Sequence, residues 1–114
     1  MYVSTNLMKS YVLTPKDLAE AAKNPELYGA DMVCLVDSAG CMLPSDVREY
    51  TLAMREKLTG PLGFHGHDNL SLGIANSLTA AECGCERVDV TLQGMGRGGG
   101  NAVAEILVAV LKKQ

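Results

Sequence analysis

A chain of 114 residues has room for one domain at most, and a composition 47% hydrophobic and 20% charged is that of a globular protein rather than a disordered one. The net charge of −3, with no basic patch or aromatic ladder, argues against a nucleic-acid partner. The longest apolar run, Asn101–Leu111, is interrupted by Glu105 and is too short for a membrane span, and Met1–Asn6 lacks the basic and apolar regions of a secretory signal.

Tyr2–Met8 mixes apolar and small polar residues and reads as a strand, with Ser4 and Asn6 on one face. Thr14-Pro15 is an N-cap followed by proline at the first helical position. The helix it opens carries Leu18, Ala19 and Ala22 and is expected to break or kink at Asn24-Pro25, with a short turn ending at Gly29. Asp31–Val36 is a continuous apolar run bounded by turns, which suits a strand buried on both faces in a parallel sheet. Pro44 opens a second helix that stops at Thr59-Gly60.

A third strand is expected at Leu62–His65 or slightly beyond. A third helix is expected from about Asn69 to Cys83, with Gly84 as its stop. Arg87–Leu92 reads as the fourth strand. After the glycine-rich loop Gly94–Gly100, Asn101 is placed to cap a last helix that is apolar on nearly all sides. Such a helix is either buried on more than one face or lacks a partner in this chain. The order β-α-β-α-β-α-β-α implies a parallel sheet with right-handed crossovers. A closed eight-stranded barrel takes about 250 residues, so the predicted fold is α/β: one partial barrel domain over residues 1–114, a parallel (βα)4 segment equal to about half of a (β/α)8 TIM barrel. A small open sheet with helices on its faces is the alternative.

The chain has one Phe and no Trp, so its core must be aliphatic. Of the four cysteines, Cys34 lies in the apolar second strand and reads as a core residue. Cys83-Gly84-Cys85 is not the C-x-x-C of zinc or redox sites, so reduced thiols and a cytoplasmic location are expected.

Chemistry in parallel α/β folds gathers at the C-terminal strand ends. Those ends carry Ser4/Asn6, Asp37-Ser38, His65/His67 and Thr91/Gln93 with the glycine loop, a polar rim on apolar strands. His65 and His67 are the only histidines. At i and i+2 on a strand they share a face, where two neutral imidazoles can hold part of a divalent-metal site. Spacing alone leaves open a pair of hydrogen-bonding histidines instead. Asp37 and Asp89 are candidates for a third ligand, with no spacing rule to choose between them; Asp37 reads equally well as a cap of the loop that follows it. Ser38 could meet a substrate carboxylate, although a turn role is simpler. Gly94–Gly99 matches G-x-G-x-x-G between strand and helix, but in the last unit rather than the first, so nucleotide binding is the weaker reading. Its glycines more readily allow close backbone approach to a metal site or a neighbouring loop. Arg97 reads as a solvated loop charge, with an anion contact as the alternative.

Val36-Asp37-Ser38-Ala39-Gly40, Leu43–Arg48, Gly63–Ser77, Arg87-Val88-Asp89 and Gly94-Met95-Gly96 through Gly99-Gly100-Asn101-Ala102 together resemble the 4-hydroxy-2-oxovalerate aldolases, within the wider group of hydroxymethylglutaryl-CoA lyase-like metal-dependent barrels. The resemblance covers nearly the whole chain in order, and His65-x-His67 with the downstream Asn76-Ser77 is its most specific part. It implies a (β/α)8 barrel of which this chain is roughly the fourth to seventh βα units. It implies His65 and His67 as ligands of a divalent metal, manganese first, with magnesium or cobalt as alternatives. Ser38 and His65 become substrate contacts, and Asn101 an asparagine that approaches the metal. The implied reaction, known from aromatic hydrocarbon catabolism, is aldol cleavage of a 4-hydroxy-2-oxo acid to pyruvate and an aldehyde. The metal would bind the 2-oxo acid and stabilise the enolate. A homo-oligomer or the missing barrel half, and an aldehyde dehydrogenase, are the implied partners. The family's Arg-Asp pair, the histidine that follows it and a C-terminal tyrosine have no counterpart in these 114 residues, so inactivity of the isolated chain is expected.

Overall fold

A computed structural model describes residues 1–113. Four parallel strands, β1 (Ser4–Leu7), β2 (Met32–Asp37), β3 (Leu62–Gly66) and β4 (Arg87–Asp89), lie in the order β1-β2-β3-β4. They alternate with α1 (Pro15–Leu27), α2 (Pro44–Lys57), α3 (Gly73–Glu82) and α4 (Ala104–Leu111). Sequential order with parallel neighbours at each step is the (βα)4 arrangement predicted from the alternation of elements.

The register sorts the side chains. Partners in a parallel ladder point to the same side, and the side alternates along each strand. Leu7, Val33, Leu35, Leu62, Phe64 and Val88 therefore share one face, where they pack with Leu18, Ala19 and Ala22 of α1, Val47 and Met54 of α2, and Ala80 of α3. Ser4, Asn6, Met32, Cys34, Val36, Gly63, His65, Arg87 and Asp89 share the other face. One face is an aliphatic core around the lone Phe64, and the other gathers the polar residues of the strands.

Local structure departs from the sequence pattern at four places. α1 does not break at Asn24-Pro25 but continues to Leu27 before Gly29 (φ 89°) ends it. Pro25 lies in the last turn, where few helical bonds follow, and its own carbonyl accepts from the Ala30 N–H at 3.0 Å. α3 begins at Gly73 rather than Asn69, because Asp68 Oδ1 holds the Gly73 N–H at 2.6 Å and the chain from Asp68 to Leu72 forms a turn first. β4 stops at Asp89. Beyond it Thr91 pairs with Val103 through an isolated bridge, so the chain has already left the sheet. α4 starts at Ala104 with Val103 at its cap position, so Asn101 is not the cap; its side chain is held by the Met95 carbonyl instead.

Leu107 is buried on α4, while Ile106, Val108 and Leu111 are exposed. Of the two readings of this apolar helix, the one without a partner for most of its surface describes the chain. Among the described residues no helix is long and apolar enough to cross a membrane.

All four cysteines are free; Cys34, Cys83 and Cys85 are buried and Cys41 is exposed. Burial pushes the thiol of Cys34 from the ordinary 9.0 to about 12, and that of Cys85 to about 11. A thiol-specific reagent should therefore modify Cys41 first in the native protein and the other three only on unfolding. Raised folded-state values mean that the folded chain binds more protons than the unfolded chain between pH 9 and 12. The contribution is complete below pH 9 and is lost as pH rises, by at most about 1.4 kcal/mol per pH unit for each thiol. Urea midpoints measured from pH 8 upward should fall; a flat profile would show that these thiols are not buried.

Candidate metal and substrate site

The site grows from β3. His65 is paired with Val36 and Asp89, and His67 follows one residue past the strand. Their rings meet edge to face with centroids 5.1 Å apart, so the two imidazoles do converge. Gly66 between them points to the helix side, where a Cβ would lie 2.8 Å from Cε1 of Phe64. The core aromatic thus requires glycine between the two histidines.

Side-chain parity also separates the two aspartates that spacing could not. Asp37 belongs to the helix face and is fully buried. Its carboxylate accepts the Cys41 and Met42 N–H groups at 3.2 and 3.0 Å, so it caps the loop leading to α2. Asp89 is on the face of His65, with Oδ2 3.5 Å from Nδ1 of that ring. Its other oxygen lies 3.2 Å from Nε of Arg87, although the angle does not make a hydrogen bond. Arg87 reaches from β4 against Cys34 to donate to Ser4 Oγ on β1 at 2.9 Å.

The loops above the strands are tied together by one residue. Asn69 donates to the Ala39 carbonyl at 2.7 Å and accepts the Gly99 N–H at 2.5 Å, linking the loops after β2, β3 and β4. Gly99 is fixed by this contact, since a Cβ there would lie 2.8 Å from Asn69 Cα. Four consecutive N–H groups at the end of the glycine loop and its exit are engaged within the protein. Gly99 donates to Asn69, Gly100 to Arg97, Asn101 to Gly94, and Ala102 to Gly66. α4 begins only at Ala104. The G-x-G-x-x-G run therefore builds loop contacts and does not open a helix onto a phosphate.

Ser38 is nearly buried, and its Oγ accepts the Lys9 N–H at 2.8 Å, which leaves the hydroxyl hydrogen as its donor. Arg97 is not simply solvated: one guanidinium nitrogen lies 2.8 Å from the Ser38 carbonyl and 3.4 Å from His67 Nε2. Asn101 is bridge-paired with His67. Asn76 and Ser77, downstream in the histidine motif, are structural: Asn76 donates to the Met42 carbonyl at 2.8 Å and Ser77 to the Gly73 carbonyl at 2.8 Å. Sequence reasoning missed Asn69 as a latch, hinted at only by the close loop approach that the glycines permit, and held a contact role for Arg97 only as the alternative to a solvated charge.

Among the described residues, His67 Nδ1 and Asn101 Oδ1 are buried polar atoms without a hydrogen-bond partner. Two converging imidazoles beside an unused amide oxygen fit part of a divalent-metal site. No group of three or more His, Cys, Asp or Glu converges among the described residues, so the fit covers a partial ligand set. Replacing Asn69 with Ala removes two hydrogen bonds that join three loops and should cost about 1–3 kcal/mol in urea unfolding. The same variant should speed amide exchange at Gly99 more than at Phe64; equal protection of Gly99 in both proteins would show that the latch is not a constraint.

The family model for HMGL-like proteins matches residues 1–114. The 4-hydroxy-2-oxovalerate aldolase of Geobacillus genomosp. 3 is 49% identical over 107 residues, covering 94% of this chain and 32% of the relative. That of Thermomicrobium roseum is 50% identical over 107 residues, covering 94% and 30%. The chain thus spans about a third of the length of the curated relatives it matches. A crystal structure of the N-terminal domain of a candidate aldolase from Bacteroides vulgatus superimposes with a TM-score of 0.82 at 37% identity, covering 99% of this chain and 38% of that one. The carboxyl transferase domain of Rhizobium etli pyruvate carboxylase, with pyruvate and biocytin, shares the fold at a TM-score of 0.80 and 22% identity, covering 96% and 20%.

Proposed function

The chain belongs to the HMGL-like family, and on that premise we propose that it forms the metal-binding side of an aldolase that cleaves 4-hydroxy-2-oxo acids to pyruvate and an aldehyde. The observation that carries this reading is the convergence of His65 and His67 at the polar strand ends, beside Ser38 and the unpartnered Asn101 Oδ1. The relatives named 4-hydroxy-2-oxovalerate aldolase support the substrate class. A divalent ion held by His65 and His67, manganese in the first place, would supply Lewis-acid polarisation of the 2-oxo group.

The chain's own residues prepare that chemistry. In the neutral ring, the Asp89 carboxylate beside His65 Nδ1 favours the tautomer with its hydrogen on that nitrogen, so that Nε2 is the atom that would hold an ion. Arg87 neutralises Asp89 from the far side and anchors it to β1. Ser38, with its oxygen already accepting from Lys9, is oriented to donate its hydrogen to a substrate oxygen. His65 would lie beside the same substrate, and the unpartnered amide oxygen of Asn101 would be available to the ion. In the cell the aldehyde would pass to an aldehyde dehydrogenase, within aromatic hydrocarbon catabolism in the cytoplasm.

Two imidazoles are an incomplete ligand set. The purified 114-residue chain should bind Mn2+ weakly by calorimetry. His65→Ala and His67→Ala should each remove most of the heat, and pyruvate release from 4-hydroxy-2-oxovalerate should stay at background. Robust cleavage by the chain without a second polypeptide would overturn the expected inactivity; unchanged Mn2+ binding in both variants would overturn the metal site.

A second reading, a non-catalytic assembly module, draws on a different observation. Ile106, Val108 and Leu111 are exposed on α4, and β1 and β4 are sheet edges. Uncovered apolar surface and open edges favour association. A homo-oligomer, or union with the remaining half of a barrel, would cover them. Sedimentation at tens of micromolar, roughly the range in which micromolar association becomes visible, should report a dimer or larger species; a stable monomer would count against it.

A further inference from the structure

The contact between Arg97 and His67 has a chemical consequence. A guanidinium only donates hydrogen bonds, so at 3.4 Å it faces the lone pair of His67 Nε2. The tautomer that accepts this contact has its hydrogen on Nδ1, the atom that is buried without a partner. The lone pair offered to Arg97 is also the one an imidazole offers to a metal. An imidazole nitrogen holds such an ion at roughly 2 Å, well inside the present distance to the guanidinium, and Nε2 has one lone pair to give. Arg97 and a divalent ion cannot hold it together.

We propose that Arg97 is a competitor built into the metal site: it occupies Nε2 of His67 when no ion is bound, and must leave before an ion can bind. Its second contact makes the exchange local. The same nitrogen is held at 2.8 Å by the Ser38 carbonyl, so a guanidinium displaced from His67 stays tethered at the rim, with its charge facing the place where an anionic 2-oxo acid would enter. This inference rests on the reading of His65 and His67 as metal ligands.

The test is Mn2+ affinity, read from the electron paramagnetic resonance of the free ion, for the full chain and its variants. Arg97→Met should bind about five- to tenfold more tightly, the scale of one charge-assisted hydrogen bond at a partly exposed position. Lys23→Met, which removes the same charge on α1, should change nothing. In a His67→Ala background, Arg97→Met should have no further effect, because the competition is for that ring. Nitrogen-detected NMR of the ion-free protein should place the His67 proton on Nδ1. Affinity unchanged or weakened in Arg97→Met, or a proton found on Nε2, overturns the proposal. If Mn2+ binds through His65 and His67 but Arg97→Met does not tighten it, only this inference fails. If no form of the chain binds Mn2+, the metal reading above fails and takes this one with it.

Discussion

Side-chain parity along β3 is the constraint on which the rest of the structure depends. Leu62 and Phe64 must face the helices, because the chain has a single Phe and an otherwise aliphatic core to build around it. A strand that sends 62 and 64 one way sends 63 and 65 the other. His65 is therefore delivered to the opposite face by the same packing that buries Phe64, and His67 follows it because Gly66 cannot carry a side chain past the Phe64 ring. Slipping β3 by one residue would bury the imidazole and expose the core. The position of the candidate site is thus protected by the hydrophobic core and not only by local contacts.

The opposite face shows what happens when a sheet side receives polar groups without a helix to cover them. The side chains of Cys34 and Met32 fill the space that Gly63 leaves above β3, and Arg87 spans from β4 to Ser4 on β1. Cys34 on this face is completely buried, and that desolvation, with the Asp89 carboxylate nearby, makes its thiol hard to ionise even though the Arg87 guanidinium works the other way. Asp89 is held between this cation and His65. Exposed ion pairs contribute little stability, about 0–1 kcal/mol each, so the value of this chain of contacts lies in orientation. It fixes one nitrogen of His65 and leaves the other for chemistry.

Much of this was legible in the sequence because it is periodic. The apolar run at Met32–Val36 fixed a doubly buried strand, proline and threonine marked the start of α1, and the i, i+2 histidines declared a shared face. What escaped depends on residues distant in sequence. Asn69 looked like a helix start, yet its bonds run to Ala39 and Gly99, each 30 residues away. Arg97 looked like a solvated charge, yet it reaches Ser38 across 59 residues. Asn101 looked like a cap because an apolar run follows it, but bridge pairing with His67 holds it back from α4. The helix through Pro25 is a milder case, where position near the last turn outweighs the general cost of proline.

The aspartates carry this argument furthest. Composition and spacing rated Asp37 and Asp89 alike as further ligands. The register separates them without reference to any metal. Asp37 pairs with Gly66 and Asp89 with His65, so the two carboxylates leave opposite faces. Asp37 is then consumed by two backbone N–H groups in a fully buried position. Asp89 is near His65 but already neutralised by Arg87, which suits a carboxylate that orients an imidazole better than one that replaces water on an ion. Neither aspartate completes the set begun by the two histidines. On the metal reading, a further ligand would have to come from the side of the sheet that carries His65, because the opposite side is filled by the aliphatic core.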